Sequence, residues 1–409
     1  MPDNSRHADG ARVLADLDAL RAIGTYKTGV HKPTFSEPHM RSLQWLTQRL
    51  PQAGLTAETD GIGNVLGKSA KPGPKLLAGS HLDSQNFAGW LDGPLGVVYA
   101  LEAARIINPD PNANGAVEVA AWSDEEGHFG SFLGSRSYVG DVTEANIDAA
   151  RDSGGRAMRD ALRDAGLAGR ARAKAERGRH IGYLEAHIEQ GRSLESSGLR
   201  IGVVTSIVGI WQYLISFSGE QNHAGTTRMA DRRDAGLALA RFCVAIDDRF
   251  PALCGPRTVW TTGRIALDPG AHSIIPGRAE MLFQMRDDDP AVIERLQDHL
   301  RKMAAEVSAQ GRCRVEVKRI RTGAPVMTDA GFQDAIEAAS LALAGGKSVR
   351  MASGAGHDAQ ILATIMPAGM LFVPSIGGIS HHWSENTADA DIVTGAQVFV
   401  EACRRLLAK

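Results

Sequence analysis

Cysteine is scarce. The 409-residue chain holds four, Cys243, Cys254, Cys313 and Cys403, with no C-x-x-C pair, which excludes a disulfide framework and a thiolate metal site. No stretch reaches the roughly 18 continuous apolar residues of a membrane span, and the amino terminus MPDNSRHADGARVLADLDAL lacks a signal-peptide core. A cytoplasmic protein with no membrane partner is expected. An excess of one charge is missing too: 45 Lys and Arg face 47 Asp and Glu, for a net charge of -2. Nucleic acid is therefore not expected as a partner. Gly and Pro together make about 15% of the residues, well under the roughly 25–30% of low-complexity chains, and no internal repeat is visible. What remains is ordinary globular composition, at a length that buries a core without a metal or disulfide staple. A bound metal here would serve chemistry.

The pattern along the chain alternates. ADGARVLADLDALRAI has Leu14, Leu17 and Leu20 at helical spacing; the short strand GNVLG, the apolar run KLLAG, the helix starting at Pro94 and the run VEVAAW follow. Strands separated by helices predict an α/β fold with a central mixed, mostly parallel sheet flanked by helices. Residues 143–180 are charged and Ala-rich, reading as short solvent-facing helices joined by Gly. A second sheet-like region opens near 209 with GIWQYLISFSG and closes after RVEVKRI, and helix and strand patterns like the first segment's then resume. This predicts a discontinuous catalytic domain, 1–212 and 324–409, interrupted by a smaller α+β domain at 213–323.

Polar clusters stand at four strand ends or loops. LLAGSHLDSQNFAGWLDG carries His81 and Asp92; VEVAAWSDEEG carries Asp124, Glu125 and Glu126; GYLEAHIEQG carries His187 and Gln190; MLFVPSIGGISHHWSENT carries His381, His382 and Glu385. In open α/β sheets, ligands collect outside the carboxyl ends of strands. Imidazole and carboxylate suit a zinc-like cation, since both coordinate at roughly 2.0–2.2 Å. Each cluster alone has an ordinary explanation as a solvated turn or a satisfied histidine. Adjacent carboxylates following a buried strand repel, however, and a cation would relieve them while a neighbour with a raised pKa serves as base.

GSHLDS, LDGPLGV, DEEG, HIEQG, NHAGTT, SGAGHDA and GGISH, in this order, resemble the M20 metallohydrolases, and within them the amidase, hydantoinase and carbamoylase branch. That branch includes N-carbamoyl-L-amino acid hydrolases, allantoate amidohydrolases and β-ureidopropionases. The resemblance implies a zinc-exopeptidase-like fold in which the inserted domain acts as lid and dimerisation element. It also implies two divalent ions per subunit, Zn, Mn, Co or Ni. His81 and His187 would hold one, Glu126 and His381 the other, and Asp92 would bridge both. His381 fits the family's His-x-x-x-Glu spacing, with His382 left as an alternative. Asp83 would orient His81. Glu125 matches the general base and acid, His223 of the partner subunit the oxyanion donor, and Arg286 the clamp on a substrate carboxylate. Gln190 and Gly356 would hold the ureido or amide end.

The implied activity is metal-dependent hydrolysis of a linear, non-peptide amide C–N bond in an N-carbamoyl or N-acyl amino acid. An M20 aminoacylase or dipeptidase is the alternative. A catalytically silent, ligand-binding member would be expected to have lost a ligand or the base, and neither is lost. Three departures fall on the substrate side. Ser273 stands in SIIPG where the family has Asn, Gln284 stands where it has Asp, and Arg228 follows NHAGTT where it has Pro. An altered or bulkier substrate is expected.

Overall fold

The computed structural model describes residues 7–408. The chain divides into two compact units: Met1–Thr205 with Met327–Ser353 and His357–Lys409, and Ser206–Val326 with Gly354–Gly356.

Strands Lys75–His81 and Ala116–Trp122 are buried at every residue, as expected for strands covered on both faces. They run parallel, with His81 opposite Trp122. His180–Ile188 lies parallel on the other side of Lys75–His81, and Ala368–Val373 extends the parallel set with Phe372 opposite His187. The carboxyl ends of these four strands thus share one edge of a nine-stranded sheet. Beyond them the order turns antiparallel: Val65–Ser69 against Ala116–Trp122, Leu55–Thr59 against Val65–Ser69, and Ile201–Ile207 against Ala368–Val373. The sheet is mixed, with its parallel strands at the centre.

Helix Pro94–Ile107 is buried at every residue except Arg105. Pro94 occupies its first turn, where a missing N–H costs nothing. Leu95, Val98 and Leu101 join a core shared with helices Gly10–Ala22, Ala330–Leu343 and Asp389–Leu407. Buried Glu102 accepts from Arg12 Nε and Nη2, each at 2.8 Å, and so docks the first helix by a charge-assisted fork. In the charged stretch, Glu144–Ala149 and Met158–Asp164 are short helices laced by Arg159 to Glu144 and Asp148.

The smaller unit holds a four-stranded antiparallel sheet, ordered Val259–Asp268, Arg278–Asp287, Gly209–Ser218, Arg314–Gly323. Gly209–Ser218 alternates buried and half-buried residues, as a sheet covered on one face requires. Helices Ala235–Arg249 and Pro290–Ala309 contribute Phe242, Ile246, Leu296 and Leu300 to its core. All four cysteines are free. Among the described residues no helix is long and apolar enough to cross a membrane.

Candidate metal centre

His81 ends its strand, His187 lies one residue before the end of its own, and Asp92, Glu126 and His381 sit on loops. The fold gathers them all. Donor atoms of His81, Asp92 and His187 lie within 4.8 Å of one another, as do those of Asp92, Glu126 and His381. Asp92 belongs to both groups. Its Oδ1 is 3.4 Å from His81 Nε2 and 3.1 Å from His187 Nε2, while its Oδ2 is 3.3 Å from His381 Nε2. His381 Nε2 is 3.7 Å from Glu126 Oε2. His382 turns elsewhere, its Nδ1 2.7 Å from Ser384 Oγ.

The remaining ring nitrogens explain this packing. His81 Nδ1 faces the Asp83 carbonyl at 3.1 Å and His187 Nδ1 the Ile188 carbonyl at 2.9 Å. A carbonyl only accepts, so each Nδ1 carries the proton and each Nε2 presents a lone pair to a carboxylate oxygen. Positive charge is needed between them. Burial alone would lower the imidazole pKa values, yet Glu125 and Asp92 push His81 well above its usual range, and Asp92 raises His187 as well. The hydrogen bond to Asp92 lifts His381 to about 9. Burial opposes ionisation of Asp92, but His187, His381 and His81 hold it well below the usual carboxylate range. Divalent cations fit this donor set. Arms of roughly 2.0–2.2 Å at tetrahedral angles put donors about 3.3–3.6 Å apart. The observed separations bracket that edge. Asp83 meets the His81 ring through its main-chain oxygen, with its carboxylate farther off at 3.8 Å.

Glu125 Oε2 lies 3.9 Å from His81 Nε2. Burial, reinforced by Glu126, Asp358 and Asp92, raises its carboxyl well above the usual range against the pull of His81. Such a group can hold a proton near neutral pH. Gln190 donates from Nε2 to Asp92 Oδ2 at 2.8 Å, and its buried Oε1 has no hydrogen-bond partner. Gln190 and His381 both adopt left-handed backbone, φ 58 and 55. Non-glycine residues are held so only where surroundings enforce it.

Several supporting residues were not singled out for these roles from the sequence. Gln85 donates to Glu126 from its backbone and its side chain, each at 3.0 Å. Glu385 accepts the N–H groups of Leu91 and Asp92 and the Ser380 hydroxyl, fixing the bridging aspartate from behind. Gly93 explains the LDG motif: at φ 86, a Cβ there would stand 2.5 Å from the His81 ring. Among these the glycine of LDG and the Glu385 of the His-x-x-x-Glu spacing leave a readable signal, and Gln85 does not.

The other predicted residues lie in the smaller unit. His223 is exposed on the two-residue strand Asn222–His223, which pairs with Ile274–Ile275. Its Nδ1 accepts from the N–H groups of Gly225 at 3.0 Å and Thr226 at 3.2 Å, so its proton sits on the outward Nε2. Across that ladder the Ser273 carbonyl accepts from Ala224. Arg286 donates to the Gly354 carbonyl at 3.0 Å, two residues from Gly356. The Gln284 amide, with its oxygen toward Arg286, accepts from Nη2 and Nε at 3.2 and 3.1 Å. Asp288 pairs with Arg257, and no carboxylate among the described residues forms an ion pair with Arg286.

The sequence profile of peptidase family M20/M25/M40 matches residues 77–405. The chain belongs to this family. An N-carbamoyl-L-amino acid amidohydrolase of Geobacillus stearothermophilus is 33% identical, covering 95% of this chain and 96% of its own length. An allantoate amidohydrolase of Bacillus subtilis is 31% identical over 92% and 93%. In three dimensions an amidase of the hydantoinase/carbamoylase family from Burkholderia phymatum superposes with a TM-score of 0.86, at 45% identity over 98% of both chains. The M20 match spans every donor at the metal centre, from His81 to His381.

Proposed function

We propose that this M20-family enzyme hydrolyses a linear amide C–N bond in an N-carbamoyl or N-acyl amino acid bearing a free carboxylate. The division of Asp92 between two donor sets, with Glu125 alongside, carries the reading. His81, His187, Asp92, Glu126 and His381 would hold two divalent ions, Zn, Mn, Co or Ni. Such ions supply Lewis-acid polarisation of a carbonyl and a water acidic enough to react near neutral pH.

The chain's own residues do the rest. Glu125 takes a proton on its carboxylate and returns it to the departing nitrogen. Gln190 Oε1, lacking a partner, accepts an N–H from the ureido or amide end. His223 points an Nε2–H outward, a donor for the oxygen on which charge grows. Arg286, free of any carboxylate, offers its planar fork to the substrate's carboxylate, with Ser273 and the Gly356 backbone completing this side. His223 of the partner subunit completes each site in a homodimer. The smaller unit's edge strand Val259–Asp268 supports this, being exposed along most of its length with Val259, Ile265 and Leu267 uncovered. The names of the Geobacillus and Bacillus relatives favour a ureido substrate. Turnover of N-carbamoyl amino acids, allantoate, N-acyl amino acids and dipeptides, each with Zn, Mn, Co and Ni, tests the reading. Cleavage of a ureide or N-acyl amino acid is expected. The family's peptidase name favours a second reading, aminoacylase or dipeptidase, and a dipeptide cleaved faster than any ureide would select it.

A further inference from the structure

Thr34 lies in a segment that the M20 profile does not reach. Its hydroxyl is buried between three groups: Asp124 Oδ1 at 2.8 Å, Asp83 Oδ2 at 3.1 Å and His128 Nδ1 at 3.2 Å. Both aspartates are fully buried. Two carboxylates this close repel in a low-dielectric interior unless a donor stands between them.

Each aspartate serves a different side of the metal centre. Asp83 follows the strand of His81, holds the His81 ring through its carbonyl and accepts the Glu126 N–H at 3.3 Å. Asp124 sits in left-handed backbone, φ 57, immediately before Glu125 and Glu126. Its carboxylate accepts the N–H groups of His128, Phe129 and Gly130 at 2.7, 3.0 and 2.8 Å, which winds the loop that presents both glutamates. With Thr34 that makes four hydrogen bonds to Asp124. Asp124 is thus saturated by donors, whereas Asp83 Oδ1 has no hydrogen-bond partner, and the spacing of Asp83, Asp124 and His128 would also suit an ion. The segment around Thr34 is itself fixed to the loop after His81: Lys32 N–H donates to Ser84 Oγ and Ser84 N–H to the Lys32 carbonyl, each at 3.0 Å.

We propose that Thr34 is a positioning residue whose hydroxyl couples Asp83 to Asp124, and so fixes the spacing between His81 and the Glu125–Glu126 pair. This rests on the metal-centre reading above. Loss of a hydrogen bond behind metal ligands typically weakens metal affinity by about 10–100-fold. Thr34→Val keeps the shape and removes the hydroxyl; Thr34→Ser keeps the hydroxyl.

Zinc titrated calorimetrically into the metal-stripped full chain, with a thermal melt of the stripped protein, provides the test. Thr34→Val is expected to bind zinc about 10–100-fold more weakly, with Thr34→Ser close to the unaltered chain. Thr34→Ala also removes the hydroxyl and should weaken zinc in the same direction, which keeps the test open if the valine variant fails to fold. Unchanged affinity in Thr34→Val, or an equal loss in Thr34→Ser, overturns the inference alone. No zinc binding by the unaltered chain overturns the metal-centre reading and this inference with it.

Discussion

Asp92 Oδ1 stands 3.1 Å from His187 Nε2, and the opposite face of that imidazole is anchored by Nδ1 on the Ile188 carbonyl. An acceptor and a lone pair at that distance call for positive charge between them. In the metal-free chain a proton answers that demand, and Asp92 accordingly raises His187. The loaded enzyme would answer it with a cation, releasing the proton.

In the proposed mechanism Glu125 moves protons and is not among the residues that would hold metal. Glu125→Gln should lower kcat by about 10²–10⁴-fold, the usual worth of a general acid–base group. Metal content by plasma mass spectrometry should stay at the unaltered level. Unchanged turnover would contradict the role.

Gly93 and Gly140 both have left-handed backbone, φ 86 and 92, but only at Gly93 would a Cβ meet anything, namely the His81 ring. Alanine at either position should cost about 1–2 kcal/mol in strain. Gly93→Ala should in addition displace His81 and weaken zinc binding, while Gly140→Ala should bind zinc normally. Equal zinc affinities would show that the close approach has no bearing on the site.

Arg286→Lys replaces a planar fork by a point charge. KM should rise by about 10-fold, the worth of roughly one charge-assisted hydrogen bond, with kcat little changed. Steady-state kinetics on the best substrate checks this, and a loss confined to kcat would move Arg286 out of the clamp role.

Glu118 lies at the opposite end of its strand from Glu125 and meets Arg179 at 2.7 Å and His180 at 3.0 Å. Burial would raise its carboxyl, but His180 and Arg179 lower it to about 2. A depressed folded-state value stabilises the protein above the unfolded value, and that contribution is lost as pH falls from about 4.5 toward 2. Glu118→Gln should therefore be less stable than the unaltered chain by about 1.5–3 kcal/mol at pH 6, with the gap narrowing at pH 3. Denaturant melts at both values test this; a gap independent of pH would refute it.

The central strands were legible because burial on both faces writes them as mostly apolar runs such as KLLAGSH and AVEVAAW. His81 was legible for the same reason, as a polar residue at the end of such a run, whereas His187 was legible through the HIEQG resemblance. The antiparallel flank was less so. Leu55–Thr59 is a strand of LTAET with exposed polar positions, ordered by its partner Val65–Ser69 more than by its own pattern. Asp124 looked like a third repelling carboxylate, yet its left-handed backbone turns it onto the following N–H groups. Thr34 and Gln85 read as ordinary loop residues, since Thr34 meets Asp124 across 90 positions and Gln85 meets Glu126 across 41. No local pattern encodes such meetings.

Anomalous diffraction from crystals grown with zinc or manganese tests the central claim most directly. Two peaks about 3.5–4 Å apart should flank Asp92, one toward His81 and His187, the other toward Glu126 and His381, and both should vanish in Asp92→Asn. Crystals of an active preparation with no peak beside Asp92, or with metal bound only elsewhere, would contradict the account.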